Sequence, residues 1–211
     1  NIDDVLAIAD ALGFDQFDLM GHSMGAGIST YVTAIAPDRV NKLVLLDGLG
    51  SHTSPEDQAV AILTVAVKDM RRAHQITMPI YTEFSAAVAA RRGVVGKVSV
   101  DAARHLCERG LMDMADGLTW SSDPRLKMGS AMRLTEGMVM SYLNKIIAPT
   151  LLIRAEQSFL AAAGLLENRI NAIDNISVVT LPGNHHLHLE TETMPSVAEE
   201  INTFLAARIS K

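Results

Sequence analysis

An α/β fold with a mostly parallel sheet and a long helical insertion is what the sequence predicts, on three observations. Short apolar runs with strand character recur at Gln16–Met20, Val40–Leu46, Thr150–Arg154 and Ser177–Leu181. Helical patterns separate them, and strand–helix alternation implies parallel pairing through right-handed crossovers. From residue 51 to about 147 the strand pattern lapses and helical periodicity takes over. The implied layout is a core built from residues 1–50 and 148–211, with a helical insertion at 51–147.

The first element is an amphipathic helix. Val5, Leu6, Ile8, Ala9 and Leu12 share one helical face, and Gly13 ends it. Gln16–Met20 is a short apolar strand, and Met24–Ala36 is a helix rich in small residues that Pro37 and Asp38 break. VNKLVLL, Val40–Leu46, is apolar enough to be covered on both faces of a sheet. The insertion is expected to hold helices near Pro55–Ala73, Pro79–Arg91, Val100–Ala115 and Thr135–Lys145, and no strand. Pro149 then introduces the strand TLLIR, Ala161–Ala172 is helical, SVVTL is the last strand, and Pro195–Ile209 is a closing amphipathic helix. Four strands are few for a parallel sheet. The chain opens on Asn1, and Gln16–Met20 would be left with a bare edge. These features lead us to expect a fragment whose front part is missing.

Bulk properties exclude several function classes. At 48% hydrophobic over 211 residues, the chain has enough apolar mass for one good core and a subdomain. Net charge is −6. Nucleic-acid binding needs a clustered positive footprint, and the short runs Arg71–Arg72 and Arg91–Arg92 read as solvated helix ends. No apolar run reaches the roughly 18 residues of a membrane span. A single cysteine, Cys107, rules out an internal disulfide and fits a reducing, cytoplasmic setting. It lacks the basic neighbours of an activated thiol.

The chemistry concentrates in two stretches. Gly21-His22-Ser23-Met24-Gly25 matches G-x-S-x-G between a strand and a helix, the context this motif requires. A serine at so sharp a turn sits on strained backbone, and its neighbours must lack bulk so that strand and helix can approach. Its hydroxyl then projects from the strand's carboxyl end, beside His22 as a candidate pocket residue, and the Met24 N–H at the helix N-terminus faces a developing oxyanion. Far downstream, Gly183-Asn184-His185-His186-Leu187-His188-Leu189-Glu190 follows the last strand. A loop histidine there can reach a nucleophile on another strand's end, take the serine proton and return it to the leaving group. Three histidines compete: His185 comes first on the loop, whereas His186 and His188 fall where a packed segment begins.

These stretches, with LVLLDG and PTLLIRAE between them, stand in the order of the α/β-hydrolase superfamily, which the chain resembles. Cys107–Val139 is similar to the serine hydrolase-like proteins within it. The resemblance covers essentially the whole chain but only the second half of that fold. The family's earlier strands, and a loop that donates the second oxyanion N–H, have no counterpart. The resemblance implies Ser23 as nucleophile, His185 as base and a helical lid at 51–147. Where many relatives carry an aspartate after the PTLLI strand, this chain has Ser158. Two acids can substitute: Asp47 after VNKLVLL, or Glu156 after TLLIR. Either needs only to accept from the far imidazole nitrogen.

The expected activity is hydrolysis of an ester or related acyl bond in a small apolar substrate, weak in this chain alone because one oxyanion donor is missing. A serine in the turn argues against the dehalogenase and epoxide-hydrolase branches, which place a carboxylate there. Two rivals keep the fold: a binding protein that has lost catalysis, and an acyltransferase or cofactor-free haloperoxidase. Trp120, in the turn WSSDPRL, is a candidate wall of the acyl pocket. Met20, Met24, Met112, Met114, Met128 and Met132 suit an adaptable apolar lining. His74 and His105 have no partner at metal-ligand spacing, and no second ligand cluster accompanies HHLH. No metal or other cofactor is expected.

Overall fold

The computed structural model describes residues 1–93, 97–158 and 165–207, in two units. The first comprises Asn1–Thr53, Leu134–His188 and the chain from Glu192; the second is Ser54–Arg133 with Leu189–Thr191. The first unit begins with α1 (Ile2–Ala11), β1 (Phe17–His22), α2 (Met24–Ile35) and β2 (Val40–Leu46). The second contains α3 (Ala59–Arg72), α4 (Phe84–Arg92), α5 (Val100–Gly110), β3 (Leu111–Met114) and β4 (Gly117–Trp120). The chain returns to the first unit with α6 (Glu136–Leu143), β5 (Thr150–Gln157), α7 (Leu166–Ile170), β6 (Ile176–Asn184) and α8 (Met194–Ala206). The start of the expected helix Ala161–Ala172 and the end of Pro195–Ile209 lie outside the described residues.

The core sheet is wholly parallel, in the order β1-β2-β5-β6. Side chains alternate faces along a strand, and both faces are apolar here. Leu43, Leu45 and Leu152 point into one cluster with Ala26 of α2 and Val139 and Leu143 of α6. Val44, Leu46, Leu151 and Ile153 point into another with Val197, Ile201 and Phe204 of α8. Lys42 breaks this apolar run yet is buried, because its Nζ donates to the carbonyls of Phe204, Leu205 and Ala207 at 2.6–2.9 Å. It thereby caps the C-terminus of α8, where carbonyls have no helical donor.

Three expectations change. Helix α1 buries Ala9 and packs Ile2, Val5 and Leu6 against Val32 and Val40, leaving Ile8 and Leu12 exposed. The buried stripe is therefore one turn N-terminal of the expected one. Helix α6 belongs with the sheet, not with the insertion, since Val139 and Leu143 fill the space over Leu43 and Leu45. The insertion also contains a hairpin, β3–β4, where a helix was expected to run to Ala115. The helix stops at Gly110, where a Cβ would lie 2.7 Å from the Trp120 ring. Gly117, at φ +138°, closes the turn in a conformation side chains rarely adopt.

Within the second unit, Ala87, Val88, Ala102, Ala103 and Cys107 form a small core, with Trp120 packed on its edge. Burial pushes the Cys107 thiol up, so it is a packing residue rather than a nucleophile. Among the described residues, no helix is long and apolar enough to cross a membrane.

Candidate active site

The sheet register brings the chemistry together. His22 pairs with Leu46 and Leu46 with Ile153, and the ladder continues past the strand ends: Ser23 N–H donates to Leu46 O at 3.1 Å and Asp47 N–H to Ile153 O at 2.8 Å. Gln157 of β5 pairs with Asn184 of β6, one residue before His185. Ser23, Asp47, Ser158 and His185 thus leave the carboxyl ends of the four strands in sheet order, the edge at which parallel sheets gather catalytic groups.

Among the described residues, the only non-glycine positive-φ residues are two of these four. Ser23 has φ 55° and Asp47 φ 43°. Such conformations cost about 1–3 kcal/mol each and persist where the surroundings dictate them. At Ser23 the dictation is visible. A Cβ on Gly21 would meet Gly25 O at 2.4 Å and Ser29 Oγ at 2.5 Å, and one on Gly48 would meet Ser23 O at 3.0 Å. Gly21 and Gly48 therefore let backbone crowd the elbow. Gly25, the motif's second glycine, has open space around it, so only one of the two motif glycines is sterically required.

A continuous hydrogen-bond chain joins three side chains. His185 Nε2 lies 2.8 Å from Ser23 Oγ, and His185 Nδ1 lies 2.6 Å from Asp47 Oδ2. An ionised carboxylate only accepts, so Nδ1 carries the proton. That leaves the Nε2 lone pair to accept from the serine hydroxyl. Burial pushes the Asp47 carboxyl up, but hydrogen bonds from His185, from Ala155 N–H (3.0 Å) and from Ser158 Oγ (2.7 Å) outweigh it and hold the acid below its usual range. Asp47 and His185 are both buried, which strengthens these charge-assisted bonds.

The choice between acids is therefore geometric. Asp47 reaches His185, while Glu156 lies within β5 with an exposed side chain. Ser158, where the family resemblance leads one to expect an acid, donates to Asp47 Oδ2 instead. This role went unread because nothing local in Ala155-Glu156-Gln157-Ser158 points across the sheet.

The other candidates divide. Met24 opens α2, so its N–H has no intrahelical acceptor, and its side chain is exposed. His22 turns away from a pocket role: its Nε2–H donates to His185 O at 2.8 Å, tying the elbow to the histidine loop. Trp120 packs against Gly110 in the second unit. His186 N–H donates to Asn184 Oδ1 at 2.8 Å, and Leu187, fully buried, anchors the loop in the sheet core. The fold also gathers imidazoles that spacing did not connect. His22 sits beside His186 and His188, ring centroids 5.1 Å and 4.2 Å away. Burial pushes His22 down, and it holds His188, crowded by three other imidazoles, at about 3.

Comparisons with known proteins agree with the fold. Residues 2–74 match the family model described as the alpha/beta hydrolase fold. A serine hydrolase-like protein of Dictyostelium discoideum is 29% identical over 201 residues, covering 90% of this chain and 56% of that protein. A 2-(acetamidomethylene)succinate hydrolase of Mesorhizobium japonicum is 26% identical over 184 residues, covering 87% of this chain and 62% of that one. The chain thus spans less than two thirds of the length of these curated relatives. The crystal structure of a hypothetical protein from Pseudomonas aeruginosa superposes with a TM-score of 0.92 at 36% identity, over 98% of this chain and 73% of that one.

Proposed function

Because the chain belongs to the α/β-hydrolase superfamily, we propose that it is a serine hydrolase cleaving an ester or related acyl bond of a small, apolar substrate. The observation that carries this reading is the Ser23–His185–Asp47 hydrogen-bond chain. Ser23 Oγ attacks the carbonyl as His185 Nε2 takes its proton. Asp47 keeps the imidazole in the required tautomer and stabilises the imidazolium that forms. The Met24 N–H, at the positive end of α2, receives the oxyanion, a contact whose loss costs about 3–4 kcal/mol in barrier. Collapse of the tetrahedral intermediate sends the proton from His185 to the leaving group, and water repeats the cycle to release the acid. A fluorophosphonate probe tests the proposal. It should label the protein at Ser23 and fail to label Ser23→Ala. Absent or undiminished labelling would overturn the assignment.

A further inference from the structure

The sheet edge carries a second constellation that acyl transfer does not use. His22 ends β1 and immediately precedes the nucleophile; His186 and His188 follow the base. One nitrogen from each ring lies within 4.8 Å of the other two. A tetrahedral zinc site holds its nitrogens about 3.3 Å apart, at Zn–N distances of about 2.0–2.1 Å. Small ring rotations would close the difference.

The hydrogen bond of His22 suits a ligand. Its Nε2–H donates to a backbone carbonyl, which leaves the Nδ1 lone pair free in the neutral ring. Metal-ligating histidines commonly donate their second nitrogen to a carbonyl in this way, which fixes ring and tautomer. His188 contributes a buried Nδ1 with no hydrogen-bond partner among the described residues. A buried polar nitrogen without a partner is costly, and ligation would remove that cost. All three rings lie within the first unit. Neutral imidazoles select zinc, copper or nickel over magnesium or calcium, which prefer oxygen.

We propose that His22, His186 and His188 form a binding site for one divalent transition cation, typified by Zn²⁺, and that its occupancy suppresses the adjacent serine hydrolase. The suppression rests on the function proposed above; the binding does not. The carbonyl that holds His22 belongs to His185, and the two rings are 4.6 Å apart between centroids. His186 follows His185 directly, so drawing the His22 and His186 rings onto one ion shifts the backbone that holds His185 Nε2 2.8 Å from Ser23 Oγ. The ion donates and accepts no electrons, and no covalent bond forms.

Calorimetric titration of the full chain with Zn²⁺ tests binding without any assay of turnover, and Ser23→Ala protein should bind equally well. We expect one ion per chain, and in the zinc-loaded wild type, X-ray absorption with imidazole nitrogen as the main scatterer. His188→Ala and His186→Ala should each weaken binding by at least about tenfold, since even loss of an outer partner costs roughly 10–100-fold. Zn²⁺ should lower ester hydrolysis by about tenfold or more, a fraction of the roughly 10²–10⁴ that proton transfer contributes. This effect should shrink in both variants, each measured against its own metal-free rate. No binding to folded wild type, or absorption without imidazole scattering, would overturn the site. Affinity unchanged in both variants would do the same. Binding with undiminished hydrolysis would overturn the regulatory half, whereas zinc binding in a protein that hydrolyses nothing would leave the site standing and remove the enzyme.

Discussion

Strand β2 buries six of its seven residues, whereas helix α3, as apolar over AVAILTVAV, buries Ala66 alone. Val60 is 78% exposed and Val65 58%. The difference teaches that hydropathy predicts burial only where the fold covers an element. A central parallel strand has a layer on each face. Leu43 and Leu45 meet α2 and α6, and Val44 and Leu46 meet α8. The second unit's core draws on α4 and α5 instead. The strand's carboxyl end also leads directly into Asp47, whose carboxylate accepts from His185 at 2.6 Å. Substitutions around β2 should therefore act strongly on chemistry or on stability, while those on α3 act on neither within this chain.

The largest effect should come at the end of β2 itself. Asp47→Asn should lower kcat by about 10⁴, the cost of mis-setting the tautomer of a catalytic histidine, with little change in unfolding. Glu156→Gln, one strand over and exposed, should stay within about twofold of wild type. A comparable loss in both variants would remove Asp47 from its assigned role.

Next comes packing. Leu143→Ala, at a fully buried site facing Leu43 and Leu45, should destabilise the protein by about 2–5 kcal/mol. Leu63→Ala on α3, 46% exposed, should change stability by less than about 0.5 kcal/mol. Urea midpoints compare the two, and a large loss from Leu63→Ala would mean that α3 is covered in solution.

The smallest effect concerns the loop after β2. Arg169 donates to Glu136 at 2.6 and 2.8 Å and to the carbonyls of Leu49 and Ser51, bracing that loop. The Arg169 guanidinium holds the Glu136 carboxyl below its usual range, against a smaller opposing effect of burial. Its contribution is therefore complete above the unfolded value of about 4.3 and is lost as pH falls through the lower folded value. Glu136→Gln should cost about 1–3 kcal/mol at pH 7 and flatten the stability loss below about pH 4.3. An unchanged acid limb in unfolding curves would show that the pair contributes nothing there.

Much of this was legible in the residues. The predicted limits of Val40–Leu46 match β2, because a strand covered on both faces is a continuous apolar run between polar breaks. The elbow was legible because a strand, G-x-S-x-G and a small-residue helix are all local signals. The β3–β4 hairpin is less legible: Asp116-Gly117 is a turn signal, but the helical period before it runs on past Gly110. That glycine's reason, the Trp120 ring, arrives from across the hairpin. In one dimension His22 takes meaning only from its neighbour Ser23, because its partners His185, His186 and His188 lie at least 163 residues away.

The amino-acid order by itself determined the strands, the strained turn at Ser23 and a histidine on the last loop, since each depends on residues within a few positions of one another. Tertiary structure alone decided which carboxylate meets that histidine. Asp47 and Glu156 both follow apolar parallel strands, and 138 residues separate Asp47 from His185. The outcome turned on sheet order, on a positive-φ turn that aims one acid inward and on a strand that carries the other past the site. The gathering of His22, His186 and His188 has the same origin, because the ends of the outermost strands, β1 and β6, meet only once the sheet has formed.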